Sequence, residues 1–154
     1  MYFTTYAGYI QAADMDGYNN YKLVCDLMYP TGIAVHFNQH PSKLFWVEYK
    51  GDVLRSCDLD GTNVQTVLQL PSGSYPWGLT ILKDRLYWGQ YWVYSIHSSS
   101  EDGGDIRLLH TGNHKVKHFT AAAPNPNRTR ENHCEGKRCS GISVLTRSSC
   151  SCRP

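Results

Sequence analysis

The sequence predicts an all-β chain that contains about three blades of a β-propeller and ends in a small disulfide-rich module. An aromatic pair recurs at intervals of 43 and 42 residues, as Tyr2-Phe3, Phe45-Trp46 and Tyr87-Trp88. Short runs rich in Val, Ile, Leu, Tyr and Trp alternate with Pro, Gly, Asn and Asp, and no stretch has the apolar period of a helix. Four of the six cysteines fall within the last 21 residues. A repeat period in the low forties with four strands per unit is typical of propeller blades.

The middle copy of the repeat, residues 30–70, predicts four short strands. Asp60-Gly61 predicts a two-residue hairpin turn between the last two, since such turns need positive φ and Gly supplies it without strain. The four strands are placed at Gly32–His36, Lys43–Glu48, Asp52–Asp58 and Val64–Leu68.

The rest of the chain is divided around this copy. Residues 2–26 predict a blade that lacks its first strand, and residues 75–110 predict a complete blade. A short closing strand is predicted at 115–120, followed by a linker at 121–131 and the cysteine-rich module at 132–154.

Charged residues are distributed unevenly along the chain. Residues 1–110 carry 7 Lys or Arg against 11 Asp or Glu, a net of −4, and residues 111–154 carry 8 against 2, a net of +6. The acidic part predicts a protein partner that presents a basic patch, which speeds encounter more than it deepens affinity. The basic tail has no interleaved aromatic side chains, so nucleic acid is not an expected partner.

The residue pattern contains no catalytic or metal-binding constellation. It has no nucleophile motif, no phosphate-binding glycine loop and no paired catalytic carboxylates. His110, His114 and His118 have helical spacing, but Gly112 and nearby β-branched residues predict a turn and a strand, in which these side chains do not converge on zinc. We therefore expect no enzyme activity, no cofactor and no metal.

The four C-terminal cysteines need disulfides or a metal, because the short polar tail has almost no apolar surface to bury. Their spacing lacks the paired Cys-x-x-Cys clips of a zinc ribbon, which favours disulfides. Asn127-Arg128-Thr129 is an N-glycosylation sequon, which is usable only in the secretory pathway. Together these features predict an extracellular glycoprotein.

Both parts of the chain resemble a known family. The aromatic pairs, the Pro-x-Gly before the first strand (Pro30-Thr31-Gly32 and Pro76-Trp77-Gly78) and the Asp-Gly after the third are similar to the YWTD repeat. That repeat builds the six-bladed propellers of the LDL-receptor-related family. The tail, with Asn132-His133-Cys134, Cys139-Ser140-Gly141-Ile142 and Cys150-Ser151-Cys152, resembles the EGF-like module that follows such propellers.

The resemblance implies a function and several structural details. It implies a fragment of the ectodomain of an endocytic or signalling receptor, attached to the membrane only through parts of the parent receptor that lie outside this chain. A secreted matrix protein of the nidogen type is the alternative. In the family, the motif's Asp ties neighbouring blades together, and here Thr5, Glu48 and Gln90 replace it.

The resemblance also implies a disulfide between Cys139 and Cys150. A rival alignment makes Cys134 the second cysteine of the module and puts Asn127 in place of the first. In that alignment Cys134, not Cys139, pairs with Cys150.

Aromatic residues recur at loop positions that blade topology brings to one end of the propeller. They follow the second strand or precede the first, and Tyr and Trp are over-represented in protein-binding hot spots. In the family, this face binds extracellular protein ligands. The alternative interpretation is ordinary half-buried packing. We predict a ligand-binding site at Tyr49, Tyr75, Trp77, Tyr91 and Trp92. His36 and His97 supply the further hypothesis that ligand release is acid-sensitive.

Overall fold

The computed structural model describes residues 1–37 and 41–122, together with the backbone of two short strands near the C-terminus. The chain divides into two compact units, Met1–Ala122 and Ala123–Pro154. All regular structure in the described residues is β, as predicted. Within those residues, no helix is long and apolar enough to cross a membrane.

The first unit consists of three antiparallel sheets that follow one another along the chain. The first sheet holds β1 (Tyr2–Thr5), β2 (Tyr9–Ala12) and β3 (Tyr21–Val24). The second holds β4 (Pro30–His36), β5 (Lys43–Glu48), β6 (Val53–Asp58) and β7 (Gln65–Gln69). The third holds β8 (Pro76–Leu82), β9 (Arg85–Gln90), β10 (Ser95–Ser100) and β11 (Arg107–Thr111).

Within the second sheet, the strand pattern agrees with the sequence prediction, except in one turn. The four strands of the second sheet begin and end within two residues of their predicted positions. Gly61 has positive φ (85°), as expected, but the β6–β7 loop covers 59–64 and is longer than the predicted two-residue turn. Asn63 is also left-handed (φ 54°), and its side chain donates to the Asp58 carboxylate, which stabilises the longer loop.

The Pro-x-Gly motif allows the first strands of neighbouring sheets to approach each other closely. A Cβ on Gly32 would lie 2.4 Å from the Leu79 backbone nitrogen and 2.6 Å from the Trp77 carbonyl oxygen. Thr31 Oγ1 also donates to the Pro76 carbonyl over 3.2 Å. Only glycine fits at such an approach, so the motif determines how β4 packs against β8.

Two apolar clusters lie between the sheets. Strand β5 contributes to both, because successive side chains on a strand point to opposite faces. Trp46 packs in the cluster with Ile10 of the first sheet, and Phe45 packs in the cluster with Trp88 of the third. Cys57 is buried in the first of these clusters, and burial raises the pKa of its thiol to about 11.

Segment 115–120, predicted as a closing strand, forms no strand in the structure. A Cβ on Gly78 would lie 2.6 Å from the Lys117 carbonyl oxygen, so the segment packs against β8 much as β8 packs against β4. A strand needs a neighbour for its backbone hydrogen bonds. No described strand pairs with this segment, which explains its irregular backbone.

The second unit contains one described hairpin. Strands β12 (Ile142–Leu145) and β13 (Cys150–Arg153) pair antiparallel, with Ser143 opposite Cys152 and Leu145 opposite Cys150. Asn127 and Cys139 lie outside the described residues. The predicted glycan and the Cys139–Cys150 disulfide are therefore untested by the structure.

Candidate ligand-binding surface

Two kinds of loop meet at one end of the three sheets. They are the β1–β2, β5–β6 and β9–β10 loops and the β3–β4 and β7–β8 links between sheets. Tyr49 N donates to the Tyr29 carbonyl over 2.8 Å, and Tyr91 N donates to the Tyr75 carbonyl over 3.0 Å. The β5–β6 and β9–β10 loops are thus each hydrogen-bonded to the link that precedes their sheet. We call this the aromatic end, and the end with the remaining loops the opposite end.

The five residues predicted to bind ligand form one contiguous cluster at the aromatic end. Ring centroids lie 4.9 Å apart for Tyr49 and Tyr75, and 5.4 Å apart for Tyr49 and Trp77. The Trp77 and Tyr91 rings are 5.1 Å apart, and the Tyr91 and Trp92 rings are 4.9 Å apart. Trp92 Nε1 donates to the Tyr49 hydroxyl over 2.8 Å and joins the two loops directly. We call these five residues the aromatic cluster.

The aromatic cluster combines packing with exposure. Tyr49, Tyr75, Trp77 and Tyr91 are half-buried, whereas Trp92 is 49% exposed. Tilted and edge-to-face pairs at these distances are favourable arrangements for aromatic rings. The cluster therefore has an ordered base and an accessible surface, so packing and ligand binding are compatible here.

Backbone strain occurs at three tyrosines of the aromatic end. Tyr29, Tyr75 and Tyr94 have φ of 62°, 46° and 55°, a region that bulky residues rarely occupy. Asp52 holds the β7–β8 link in place, because its carboxylate accepts from Tyr75 N at 2.6 Å and from Gly73 N at 2.8 Å. Strained backbone of this kind costs about 1–3 kcal/mol per residue and is often found at ligand-binding sites.

Glu48 provides the carboxylate contact that the resemblance implies. It is almost fully buried, and its Oε2 accepts from Met28 N, in the link before β4, at 2.7 Å. Its Oε1 lies 3.2 Å from Trp46 Nε1 and 3.3 Å from Arg55 Nε. Glu48 therefore fixes the link that carries Tyr29.

Three lysines at the aromatic end were not predicted from the sequence as site residues. Lys115 Nζ lies 3.7 Å from the Trp92 ring centroid and 4.6 Å from that of Tyr91. Lys117 Nζ lies 5.9 Å from the Tyr91 centroid, and Lys50 Nζ lies 4.7 Å from the Tyr29 centroid. Only Lys50 is foreseeable from its position directly after Tyr49. The other two depend on the return of segment 115–120 to the third sheet.

A cavity of about 210 Å³ opens beside the aromatic cluster. Trp77 contributes one wall, and segment 115–120 contributes His118. The remaining lining residues are Thr4, Tyr6, Pro30 and Thr31. The cavity offers room for a side chain next to the exposed rings.

The acidic residues of 1–110 lie mostly at the opposite end. Glu48 and Asp52 are buried at the aromatic end, and Asp26 is exposed in the β3–β4 link. The other eight lie in loops or at strand ends of the opposite end: Asp14, Asp16, Asp58, Asp60, Asp84, Glu101, Asp102 and Asp105.

Several of these carboxylates stabilise their own turns. Asp60 Oδ1 accepts from the Thr62 hydroxyl at 2.6 Å and from Thr62 N at 2.9 Å, and Asp102 Oδ1 accepts from the Ser100 hydroxyl and from Gly104 N at 3.0 Å. Side-chain hydrogen bonds of this kind hold the pKa of Asp60 and of Asp102 below the usual range. The acidic excess of residues 1–110 thus comes mostly from carboxylates in the turns of the opposite end. This excess does not predict a basic partner for the aromatic cluster.

The two histidines of the acid-release hypothesis lie outside the aromatic cluster. His36 is buried at the opposite end of β4 and contacts Glu101 across the sheets. His97 stacks on Trp88, with ring centroids 5.6 Å apart, and burial lowers its pKa. Among the described residues, neither ring stacks on or hydrogen-bonds to a member of the aromatic cluster, so direct control of ligand release by these histidines has no geometric support.

Sequence comparison relates the chain to receptors. It is 32% identical over 139 residues to the vitellogenin receptor Yl of Drosophila melanogaster, and this match covers 88% of this chain. It is 32% identical over 127 residues to low-density lipoprotein receptor-related protein 5 of Mus musculus, and this match covers 78% of this chain. The chain spans only 7% of the length of each of these relatives. No family model matches the chain.

Structural comparison supports the propeller fold. A chain from the nidogen/laminin complex has a TM-score of 0.60 at 24% identity, covering 70% of this chain and 42% of the other. A streptogramin B lyase also has a TM-score of 0.60, at 19% identity, covering 77% of this chain and 40% of the other. The three-sheet unit is therefore part of a propeller, a fold that occurs in both binding proteins and enzymes.

Proposed function

We propose that this chain, which belongs to the low-density lipoprotein receptor family, is a non-catalytic region that binds an extracellular protein ligand. The parent protein in this proposal is an endocytic or signalling receptor with its ectodomain outside the cell. The glycan at Asn127 and the EGF-like module at 132–154 belong to the same proposal.

The aromatic cluster is the observation that carries this proposal. Five aromatic side chains from three separate segments come together, and Trp92 presents its ring to solvent. Rigid aromatic groups of this type often dominate protein–protein affinity, because they bury a large area with little loss of conformational entropy. The strain at Tyr75 and its support by Asp52 indicate a preorganised surface.

A catalytic function receives less support. The lyase neighbour shares the fold at 19% identity, which carries no information about chemistry. The relatives with higher sequence identity are receptors. We therefore propose that the chain functions in binding rather than in catalysis.

A secreted matrix protein of the nidogen type is the second candidate, and the nidogen neighbour shares the propeller fold with this chain at 24% identity. The full-length transcript separates the two candidates. A transmembrane segment with a cytoplasmic tail supports the receptor, and further matrix modules without such a segment support the alternative.

The experiment that tests the binding function uses a random dodecapeptide phage library panned on the full chain, immobilised at low density. Trp92→Ala and Tyr91→Ala should each weaken selected peptides by roughly thirtyfold, which is about 2 kcal/mol for a hot-spot residue. Tyr18→Ala is the matched control, since Tyr18 is an exposed aromatic residue of the opposite end (73% exposed). Equal, small effects of all three substitutions would show that the cluster serves packing only.

A further inference from the structure

We propose that the aromatic cluster recognises a carboxylate-rich segment of its protein ligand, that is, a peptide rich in Asp or Glu. This inference rests on the proposed function and specifies the chemistry of the partner. It reverses the expectation of a basic partner that the charge balance of residues 1–110 suggests.

The lysine side chains of the aromatic end lie over aromatic rings. Lys115 and Lys117 place their ammonium groups over the rings of Tyr91 and Trp92, at 3.7–5.9 Å from the ring centroids. Lys50 places its own over Tyr29. All three lysines are exposed, and none takes part in an ion pair within the described residues. These cations are therefore available to an incoming anion.

The ring face of Trp92 is already occupied by a cation. An aromatic face attracts a cation, and at Trp92 that position is already taken by Lys115. A basic ligand would have to bring its cation beside another ammonium group, where like charges repel. A carboxylate would instead pair with the ammonium group while the rest of the ligand packs on the rings.

The carboxylates at the aromatic end do not compete for these lysines. Glu48 is buried between Met28 N and Arg55, and Asp52 accepts from two backbone N–H groups. Neither carboxylate is free to neutralise Lys115. Asp26 is the exposed exception, and it lies in the link of the first sheet rather than in the third sheet.

The cavity beside Trp77 adds a place for the ligand to anchor. His118 lines it from the same segment that carries Lys115 and Lys117. A segment of ligand that lies across the rings thus has both the lysines and a cavity of about 210 Å³ within reach.

The experiment first selects peptides whose binding depends on the aromatic cluster, and then determines which charged residues those peptides contain. Dodecapeptides that bind the full chain but not its Trp92→Ala or Tyr91→Ala variant are sequenced and synthesised as fluorescent probes. We expect Asp and Glu to outnumber Lys and Arg by about threefold or more, and affinity to fall as salt rises.

A matched pair of charge reversals completes the test. The double variant Lys115→Glu/Lys117→Glu should weaken the probes by about tenfold or more. Lys22→Glu/Lys83→Glu changes the net charge equally on side chains away from the cluster, and should change affinity less than about twofold.

Cluster-dependent peptides rich in Lys and Arg, or equal effects of the two double variants, would overturn this inference and leave the binding function intact. If no peptide depends on the cluster, the binding function itself fails, and this inference fails with it.

Discussion

At the scale of single residues, Glu48 and Gln90 occupy equivalent positions of the repeat and act differently. The Glu48 carboxylate accepts from Trp46 Nε1 and reaches the preceding link through Met28 N. Gln90 accepts from the Ser95 hydroxyl of its own sheet, and Trp88 Nε1 is buried without a partner in the described structure. A carboxylate with two hydrogen-bond donors and an ion pair to Arg55 therefore supports the second sheet, and the third sheet depends more on apolar packing.

Gly32 gives a direct test of the packing between sheets. In Gly32→Ala the new Cβ meets the β8 backbone, which has no side-chain freedom to move away. We expect a loss of about 2–3 kcal/mol in unfolding free energy, typical of overpacking, measured by urea unfolding with tryptophan fluorescence. The control is Gly104→Ala, where the new Cβ meets the ends of the Ser100 and Asp102 side chains, and the loss should stay below about 1 kcal/mol. Equal losses in both variants would contradict this account of the Pro-x-Gly motif.

His97 predicts how stability depends on pH. Burial lowers its pKa in the folded protein, so the unfolded chain takes up a proton at higher pH than the folded chain does. Stability should therefore fall as pH drops below the ordinary value of 6.5 toward the lowered folded value. His97→Phe keeps a ring on Trp88 and removes the titration, so urea midpoints between about pH 7 and pH 5 should vary less than in the unmodified chain. A parallel decline in both proteins would assign the pH dependence to other groups.

At the scale of elements, the strands were predictable because each blade repeats the same alternation of apolar residues and turn residues. The bounds of β4 to β7 illustrate this, since periodicity and Gly or Asp at turns are local properties of the sequence. Segment 115–120 was wrongly predicted as a strand, because a strand also needs a partner, and partnership is not local. The aromatic cluster was predictable from loop positions, whereas the lysines over it depend on that non-local segment.

The C-terminal unit leads to a prediction about covalent structure. Non-reducing peptide mapping should recover a peptide pair joined by Cys139 and Cys150, with a stabilisation of about 3 kcal/mol for a short closed loop. Recovery of Cys134 joined to Cys150 would support the rival alignment instead. Reduction of the same digest should release both peptides, which is the control for non-covalent association.

At the scale of the whole molecule, the net charge of a segment says little about the charge of a face. The acidic excess of residues 1–110 lies mostly at the opposite end, where carboxylates cap turns, and lysines surround the aromatic cluster. Segment 115–120 contributes two of those lysines although it belongs to the basic part of the chain. The electrostatic character of the binding surface therefore depends on the fold rather than on composition.

The most direct test of the binding function is a hydrogen-exchange footprint of the full chain with a peptide selected on the unmodified protein. Bound peptide should slow exchange in the β5–β6 loop, the β7–β8 link and the β9–β10 loop, at residues 49–52, 70–75 and 91–94. Loops 59–64 and 101–106 at the opposite end should exchange as in the free chain. Protection confined to those two opposite loops would contradict the assignment of ligand binding to the aromatic cluster.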